Sequence, residues 1–572
     1  MKKKIILLIA VLVVVSIGLG VLILSRQKEE ITEDKVKTTK EIDTEVNLDN
    51  GDEKINWNSL DEKELKLNNK SLEITNPGIY TLSGNISNGS ITINTSGSVK
   101  LILDNVSIKN DDGPAIVILE ADNTIIELKE NTVNTLEDSK KYSSEEYDGC
   151  IFSKDDLIFQ GTGTLNVKSN NLDAIVSNDD LKIIDGIYNI ISNDDGIRGK
   201  DSVYIKNGTF NIESVSDGIK STNDTDQEKG YINIENGIFN INSGQDGIQA
   251  ETKIIIYNGT YNVMTSDGSS SKNSAIQNEF YGGNNYDNTS AKALKANDNL
   301  VIKNGTFTID SKDDAIHSNN YLGIETGKIT ISSGDDGIHA DKEIIIDGGT
   351  IKINQSYEGI EASDVTINGG NINVKSKDDG INISGGNDNS SIGGRPGQNP
   401  FSATNGGILK ITGGMIYVDA SGDGLDANGS ITITGGKVYV DGPTNSGNGA
   451  LDYDKTFEIN GGEFIAVGAS GMAQGASSSS SQYSLMFNIS NYDGKIALED
   501  SSNKVIFNYS PSKEYSSIIL SNDKLKKDET YTLKIDGKEV ATLKVDQINS
   551  IYGNSQSGMQ GGNRPGGRPG RR

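Results

Sequence analysis

Along the middle of the chain, apolar residues alternate with polar ones in short runs, and each run opens on a glycine. The runs are "GIYNI", "GTFNI", "GIFNI", "GTYNV", "GTFTI", "GKITI", "GTIKI", "GNINV", "GMIYV", "GKVYV" and "GEFIAV". Their glycines are Gly186, Gly208, Gly237, Gly259, Gly305, Gly327, Gly349, Gly370, Gly414, Gly436 and Gly462, separated by 22, 29, 22, 46, 22, 22, 21, 44, 22 and 26 residues. Alternation over three to five positions is the period of a strand and nowhere that of a helix. A repeat of about 22 residues, with two gaps near double, predicts a solenoid. One such coil cannot bury both faces of its strands, but coils stacked at the inter-strand distance of about 4.8 Å can. The expected fold is all-β, a parallel β-helix in which equivalent residues of successive coils form columns. None of the eight prolines falls in the repeat strands, as a backbone bonded to coils on both sides requires.

The pattern also divides the chain. Residues 1–25 hold Lys2 to Lys4 and an apolar run from Ile5 to Leu24, long enough to cross a bilayer and read as an export signal or membrane anchor. The run is long for a signal peptide and no A-x-A-like cleavage site follows it, which favours an anchor. Residues 26–55 are polar and poor in aromatics, as a linker would be. The β-helix is expected over 56–483, its first coils formed by looser segments such as "SITI", "KLILDNVSI", "TIIEL" and "LIFQGTGTLNV". The two double gaps hold Ser/Gly/Asn-rich surface loops, Ser266–Ala296 and Ser384–Gly407. After Tyr483 the period stops; "YTLKIDGKEVATLKV" reads as a hairpin, so 484–548 predicts a small C-terminal β cap. Residues 549–572 read as a disordered Gly/Arg-rich tail.

Composition narrows the function. Hydrophobic residues make up only 34% of the chain, but 66 glycines restore the balance of a folded, turn-rich protein. A formal charge of −27 argues against nucleic acid and for cations, or for polyanions bridged by cations. A lone Cys150 excludes an internal disulfide, and no Cys/His cluster proposes zinc.

A second phrase recurs beside the strands: an acid, a Gly or Ala, an Ile or Leu, then a variable polar residue, as in "DDGIR", "SDGIK", "DDAIH", "DDGIH", "YEGIE", "DDGIN" and "GDGLD". The Ile or Leu points into the core, so strand alternation sends the next residue outward. That column reads Arg198, Lys220, Gln249, Lys295, His317, His339, Glu361, Asn382, Asp426 and Asp452, passing from basic to acidic. The acids form another column: Asp195, Asp217, Asp246, Asp314, Asp336, Glu358, Asp379 and Asp423. Asp-Gly is a turn former, with Gly supplying a positive φ and Asp capping the backbone, and this accounts for single members. It does not account for their clustering. Carboxylates stacked about 5 Å apart repel by roughly 1 to 3 kcal/mol per pair, so the run demands a counter-cation. Oxygen-only ligands on turns suit Ca²⁺. The candidate ligands are Asp313, Asp314, Asp335, Asp336, Glu358, Glu361, Asp378, Asp379, Asp423 and Asp426. The only histidines, His317 and His339, sit 22 residues apart in one column. They read either as a structural stack or as imidazoles that bond a sugar or move a proton. Lys295 precedes them, and Phe280, Tyr281, Tyr286 and Phe401 in the loops could stack on sugar rings or pack the loops down. Trp57 reads as a capping residue at the start of the helix.

Read in order, "SAKALKA", "DDAIHS", "SGDDGIHAD", "SYEGIEA", "DDGIN", "GDGLDANG" and "GPTNSGNGALDY" resemble the bacterial cell-surface carbohydrate-binding β-helix family first known from cellulolytic clostridia. The resemblance covers about residues 57 to 545. It implies a right-handed parallel β-helix similar to pectate lyases, calcium held by turn aspartates, and cellulose-like or polygalacturonate-like ligands without established lyase activity. It also implies that Asp314, Asp336, Glu358, Glu361, Asp379, Asp423 and Asp426 belong to the calcium-holding phrases.

The leading expectation is a cell-surface, calcium-dependent and non-catalytic module for plant-wall or bacterial-wall polysaccharide, with no nucleic-acid partner. One rival is a calcium-dependent lyase in which Lys295 or Lys220 removes the proton beside a uronate carboxylate. The acids around Lys295 would raise its pKa and count against it as a base. The other rival is a structural adhesin or wall spacer.

Overall fold

The computed structural model describes residues 37–39, 55–270, 289–384 and 406–553. Among them the only helix of three or more residues is the 3₁₀ turn Trp57–Ser59; the rest of the regular structure is strand. Lys100 Nζ lies 4.8 Å from the centre of the Trp57 ring. The apolar run from Ile5 to Leu24, the linker and the tail beyond residue 553 lie outside the described residues. No helix among the described residues is long and apolar enough to cross a membrane.

Each regular coil has three strands, as in Ile187–Ser192, Ile197–Gly199 and Ser202–Ile205, repeated by Thr209–Ser214, Ile219–Ser221 and Tyr231–Ile234. We call the three faces sheets 1, 2 and 3, in chain order within a coil. Every coil-to-coil pairing is parallel: Ile187 pairs with Thr209, Ile197 with Ile219 and Ser202 with Tyr231. The gaps read from the glycines return as register offsets, including the long ones, where Thr260 pairs with Thr306 and Asn371 with Met415. The chain is therefore a three-faced parallel β-helix, and its loops enter between coils without breaking the stack.

Alternation places Tyr188, Phe210, Phe239, Tyr261 and Phe307 inside, one per coil. Their rings stack with centroids 5.0, 4.9, 4.7 and 4.5 Å apart and planes within 5°. From Ile329 to Val438 the same column is aliphatic, through Ile351, Ile372 and Ile416, and Phe464 ends it. The glycine before each aromatic makes room for the ring. At Gly208, φ is +141° and a Cβ would lie 2.9 Å from the Phe210 ring.

The last coil strand, Glu463–Gly468, pairs antiparallel with Tyr515–Ser521, which in turn pairs antiparallel with Ser484–Tyr492. This reversal covers the sheet edge that another chain could otherwise extend. A four-stranded antiparallel sheet, Ile496–Glu499, Val505–Tyr509, Thr530–Ile535 and Lys538–Lys544, follows with its own core around Leu498, Phe507 and Leu533. The strand Asn549–Tyr552 pairs with Ser484–Tyr492, so ordered structure runs past residue 548 into the segment read as tail.

The stack predicts where stability resides. Phe239→Ala, in the middle of the ring column, should lower the unfolding free energy by about 3 to 5 kcal/mol in urea titration. Ile191→Ala, on the outer face and 49% exposed, should change it by less than about 0.5 kcal/mol.

Candidate cation and ligand site

The acidic phrase lies at the corner between sheets 1 and 2, and a serine sets it. Ser192 Oγ donates to the Asp194 carbonyl at 3.0 Å; Ser243, Ser311, Ser333 and Ser376 make the same bond to Gln245, Asp313, Asp335 and Asp378 at 2.8–3.1 Å. The turn so closed aims the next acid along the helix axis. The Gly of the phrase does not supply a positive φ, contrary to its reading as a turn former. At Gly196 and Gly218 a Cβ would instead meet the carbonyl oxygen of the next coil at 2.5 Å, so close stacking selects a small residue there.

One oxygen of every Asp in the column serves the backbone, and Glu358 breaks the series. Asp173 Oδ1 accepts the Asp195 N–H at 3.0 Å, Asp195 that of Asp217 at 2.9 Å, Asp217 that of Asp246 at 2.8 Å, and Asp246 that of Lys292 at 2.8 Å. The ladder resumes with Asp314 to Asp336 at 3.0 Å, Asp336 to Glu358 at 3.2 Å, and Asp379 to Asp423 at 2.6 Å. These bonds are turn chemistry carried from coil to coil.

The second oxygen takes a cation, as long as the column supplies one. Arg198 Nε reaches Asp173 Oδ2 at 2.6 Å, Lys220 Nζ reaches Asp217 Oδ2 at 2.7 Å, and Lys295 Nζ reaches Asp246 Oδ2 at 3.3 Å. Asp314 Oδ2 accepts from Lys292 Nζ at 2.6 Å and lies 2.8 Å from His317 Nδ1. His339 Nδ1 lies 3.2 Å from Asp336 Oδ2 and 3.3 Å from Glu361 Oε2. The register joins these residues in one column from Arg198 to Asp452.

Pointing away from the core does not mean solvent here. Gln249, His317, His339, Glu361 and Asn382 are only 1–5% exposed, because the acid ladder packs beside them. The two imidazoles stack 4.8 Å apart at 9°. Both nitrogens of each are already engaged, His317 Nε2 by Asn319 at 2.8 Å and His339 Nε2 by Asp341 at 3.3 Å. Burial alone would lower the His339 pKa, but hydrogen bonds to Asp336, Asp341 and Glu361 hold it well above the usual histidine range. His339 is therefore a buried cation. Burial likewise works to raise Glu361, yet His339 keeps its carboxyl below the usual range. Asp314 is held well below it because Lys292 outweighs its burial. Lys292 was missed in the phrase "SAKALKA"; a lysine at the slot that holds an acid in neighbouring coils was the signal.

Past His339 the supply of cations ends. Among the described residues no Lys, Arg or His forms an ion pair with Glu358, Asp379, Asp423 or Asp426. Burial, then Asp426 and Asp378, pushes the Asp379 carboxyl up to about 8. Burial with Asp423 and Asp452 pushes Asp426 to about 7, and Asp423 stands at about 6, again chiefly from burial. Glu358 is raised well above its usual value by burial, Glu361 and Asp379. Asn382, 3% exposed, donates Nδ2 to Glu358 Oε2 at 2.5 Å, and its Oδ1 is buried without a partner. A carboxamide oxygen and several carboxylates make an all-oxygen donor set that fits Ca²⁺. Asp379, Asp423 and Asp426 are only half-buried, so a ligand can reach this end. Of the sequence candidates, Asp313 and Asp314 are committed to Lys292, and Asp336 and Glu361 to His339. Phe280, Tyr281, Tyr286 and Phe401 lie outside the described residues.

The family model described as "Carbohydrate-binding domain-containing protein" matches residues 68–337 and 335–563. A protein of that same description from Acetivibrio thermocellus is 32% identical over 156 residues, 26% of this chain; the match spans 53% of the relative's own length. A solved structure titled as a polysaccharide lyase-like protein from C. thermocellum, gadolinium derivative, shares 29% identity over 36% of this chain and 91% of that one, with a TM-score of 0.35.

Two outcomes follow. Lys292→Met removes the ammonium from Asp314, which is 0% exposed and keeps His317 and the Asp336 N–H as partners, and should cost about 3 to 5 kcal/mol of stability; Lys129→Met, at the exposed pair with Asp104, should leave the urea midpoint nearly unchanged. Carboxyls raised in the fold bind protons that the unfolded chain has lost, so their contribution is present at low pH and lost as pH rises through about 6 to 8. The raised His339 acts in the same direction. In EGTA the protein should therefore be less stable to urea at pH 8 than at pH 5.

Proposed function

The chain belongs to the carbohydrate-binding domain family, and we propose that it binds acidic polysaccharide outside the cell through Ca²⁺, without cleaving it. The observation that carries this reading is the point where the acid ladder outruns its cations, where Asn382 bonds Glu358, pairs in register with Asp426 and keeps its Oδ1 without a partner. Ca²⁺ takes six to eight oxygens. The protein would supply some, and a uronate carboxylate and hydroxyls the others. A bridging cation reconciles a chain of formal charge −27 with an anionic polymer.

Lyase chemistry needs a neutral base beside the metal. Burial would lower the Lys220 pKa, but Asp217 and Asp195 outweigh it and hold the ammonium charged. Lys295 is four coils from Asn382, roughly 19 Å at about 4.8 Å per coil. Neither lysine can serve a proton held at the cation-poor end, which favours binding over elimination.

The full-length protein should melt higher in Ca²⁺ than in EGTA and be retained on cross-linked polygalacturonate only with Ca²⁺. Asp379→Asn/Asp426→Asn should melt above the wild type in EGTA at pH 8, ignore Ca²⁺ and lose retention. Retention equal in EGTA, or unaffected by the double change, would sink the reading. Growth of unsaturated-product absorbance would replace it with the lyase.

A further inference from the structure

The outward face of sheet 3 is sealed where water is expected. Strand alternation points Ile158, Ile255, Val301 and Ile345 away from the core, yet each is only 1–2% exposed. Sheet 1 shows the ordinary case: its outward asparagines, bonded amide to amide from coil to coil, are exposed at Asn211, Asn240 and Asn262. On sheet 3 the sealed row takes in Ile125 and Asn233 and ends past Thr366, since Lys410 in the next coil is half-buried. The described strands are coils or cap, and the cap begins beyond Glu463, so none of them lies over this row.

The N-terminal chain touches this face at both ends of the row. Thr39, itself buried, donates its backbone N–H and its Oγ1 to Asp347 Oδ2 at 2.9 and 2.7 Å, and Asp347 directly follows the strand that holds Ile345. The Trp57 ring meets Lys100, which pairs with Ile125. Nine register steps separate Lys100 from Ile345, roughly 43 Å at about 4.8 Å per step. Trp57 stands 18 positions after Thr39, a reach of about 60 Å at full extension. The straight path between the two contacts follows the sealed row and leaves little chain for a detour. Residues 40–54, which lie outside the described residues, contain "IDTEVNL". Ile42, Thr44, Val46 and Leu48 there alternate with Asp43, Glu45 and Asn47, the pattern of a strand with one apolar face.

We propose that the sealed row is a docking track for residues 40–54, which cross the coils as a strap with Ile42, Val46 and Leu48 turned toward sheet 3. The strap covers two outward apolar patches, Ile125 with Ile158 and Ile255 with Val301 and Ile345, that would otherwise invite self-association. It goes beyond the polysaccharide reading and does not depend on it.

The test uses the full-length chain and a glutamyl endoprotease, with cleavage after Glu45 followed by mass spectrometry. Cleavage tracks the undocked population, so the wild type should be cut there at least about tenfold more slowly than a free peptide of residues 37–55. Ile42→Asp/Leu48→Asp leaves the neighbours of the cut bond unchanged and lies outside the coils, and it should bring the rate to within about twofold of the peptide. Val301→Ser/Ile345→Ser, on the track itself, should speed cutting about tenfold through lost apolar contact, with circular dichroism showing both variants folded. A wild type cut as fast as the peptide, or a strap variant cut as slowly as the wild type, would overturn the proposal. So would a folded track variant cut as slowly as the wild type, which would place the strap on another face. Protection that falls on dilution would give the row to a second copy of the chain and overturn it as well.

Discussion

The rest of the structure follows from one constraint: every side chain has a copy of its own slot above and below it, at the spacing of hydrogen-bonded strands, about 4.8 Å. Groups that attract their own kind profit from it. Aromatic rings stack at 4.5–5.0 Å, and amides join at 2.8–2.9 Å. Carboxylates cannot, since each adds to its neighbour's repulsion. The fold gives one oxygen of each Asp in the column to the next coil's backbone and leaves the other in need of a cation.

The column beside the acids answers that need in sequence. It passes through Arg198, Lys220, Lys295 and the imidazoles, and then turns acidic itself at Glu361 and Asp426. Up to His339 the acids lie beside cations, although burial still raises Asp173 and Asp195 to about 6 and Asp217 to about 7. Beyond it the acids have no ion-pair partner among the described residues, and the proposed Ca²⁺ would compensate them at an end where Asp379, Asp423 and Asp426 are half-buried. The proposed function therefore rests on a break in the repeat rather than on the repeat.

The alternation and the glycine spacing contain the fold almost whole. Offsets of 22, 29 and 46 residues between glycines are the register offsets between strands, because each coil must return to the same point. The membership of the polar column was legible for the same reason. Its burial was not: period two tells direction from the core, whereas His339 is sealed by Asp336, Asp341 and Glu361 from its own and neighbouring coils. Lys292 and the amide row were also overlooked. One hid in a slot read as acidic, and the other among strand residues read only for their apolar partners.

The central claim is that Glu358, Asp379 and Asp426 exchange protons for a metal ion. Calorimetric titration of Ca²⁺ at pH 6.5, repeated in buffers of different ionisation enthalpy, counts the protons released on binding. With Asp379 at about 8 and Asp426 at about 7 in the metal-free fold, binding should expel at least about one proton per ion. Binding without proton release, or no binding at all, would contradict the account.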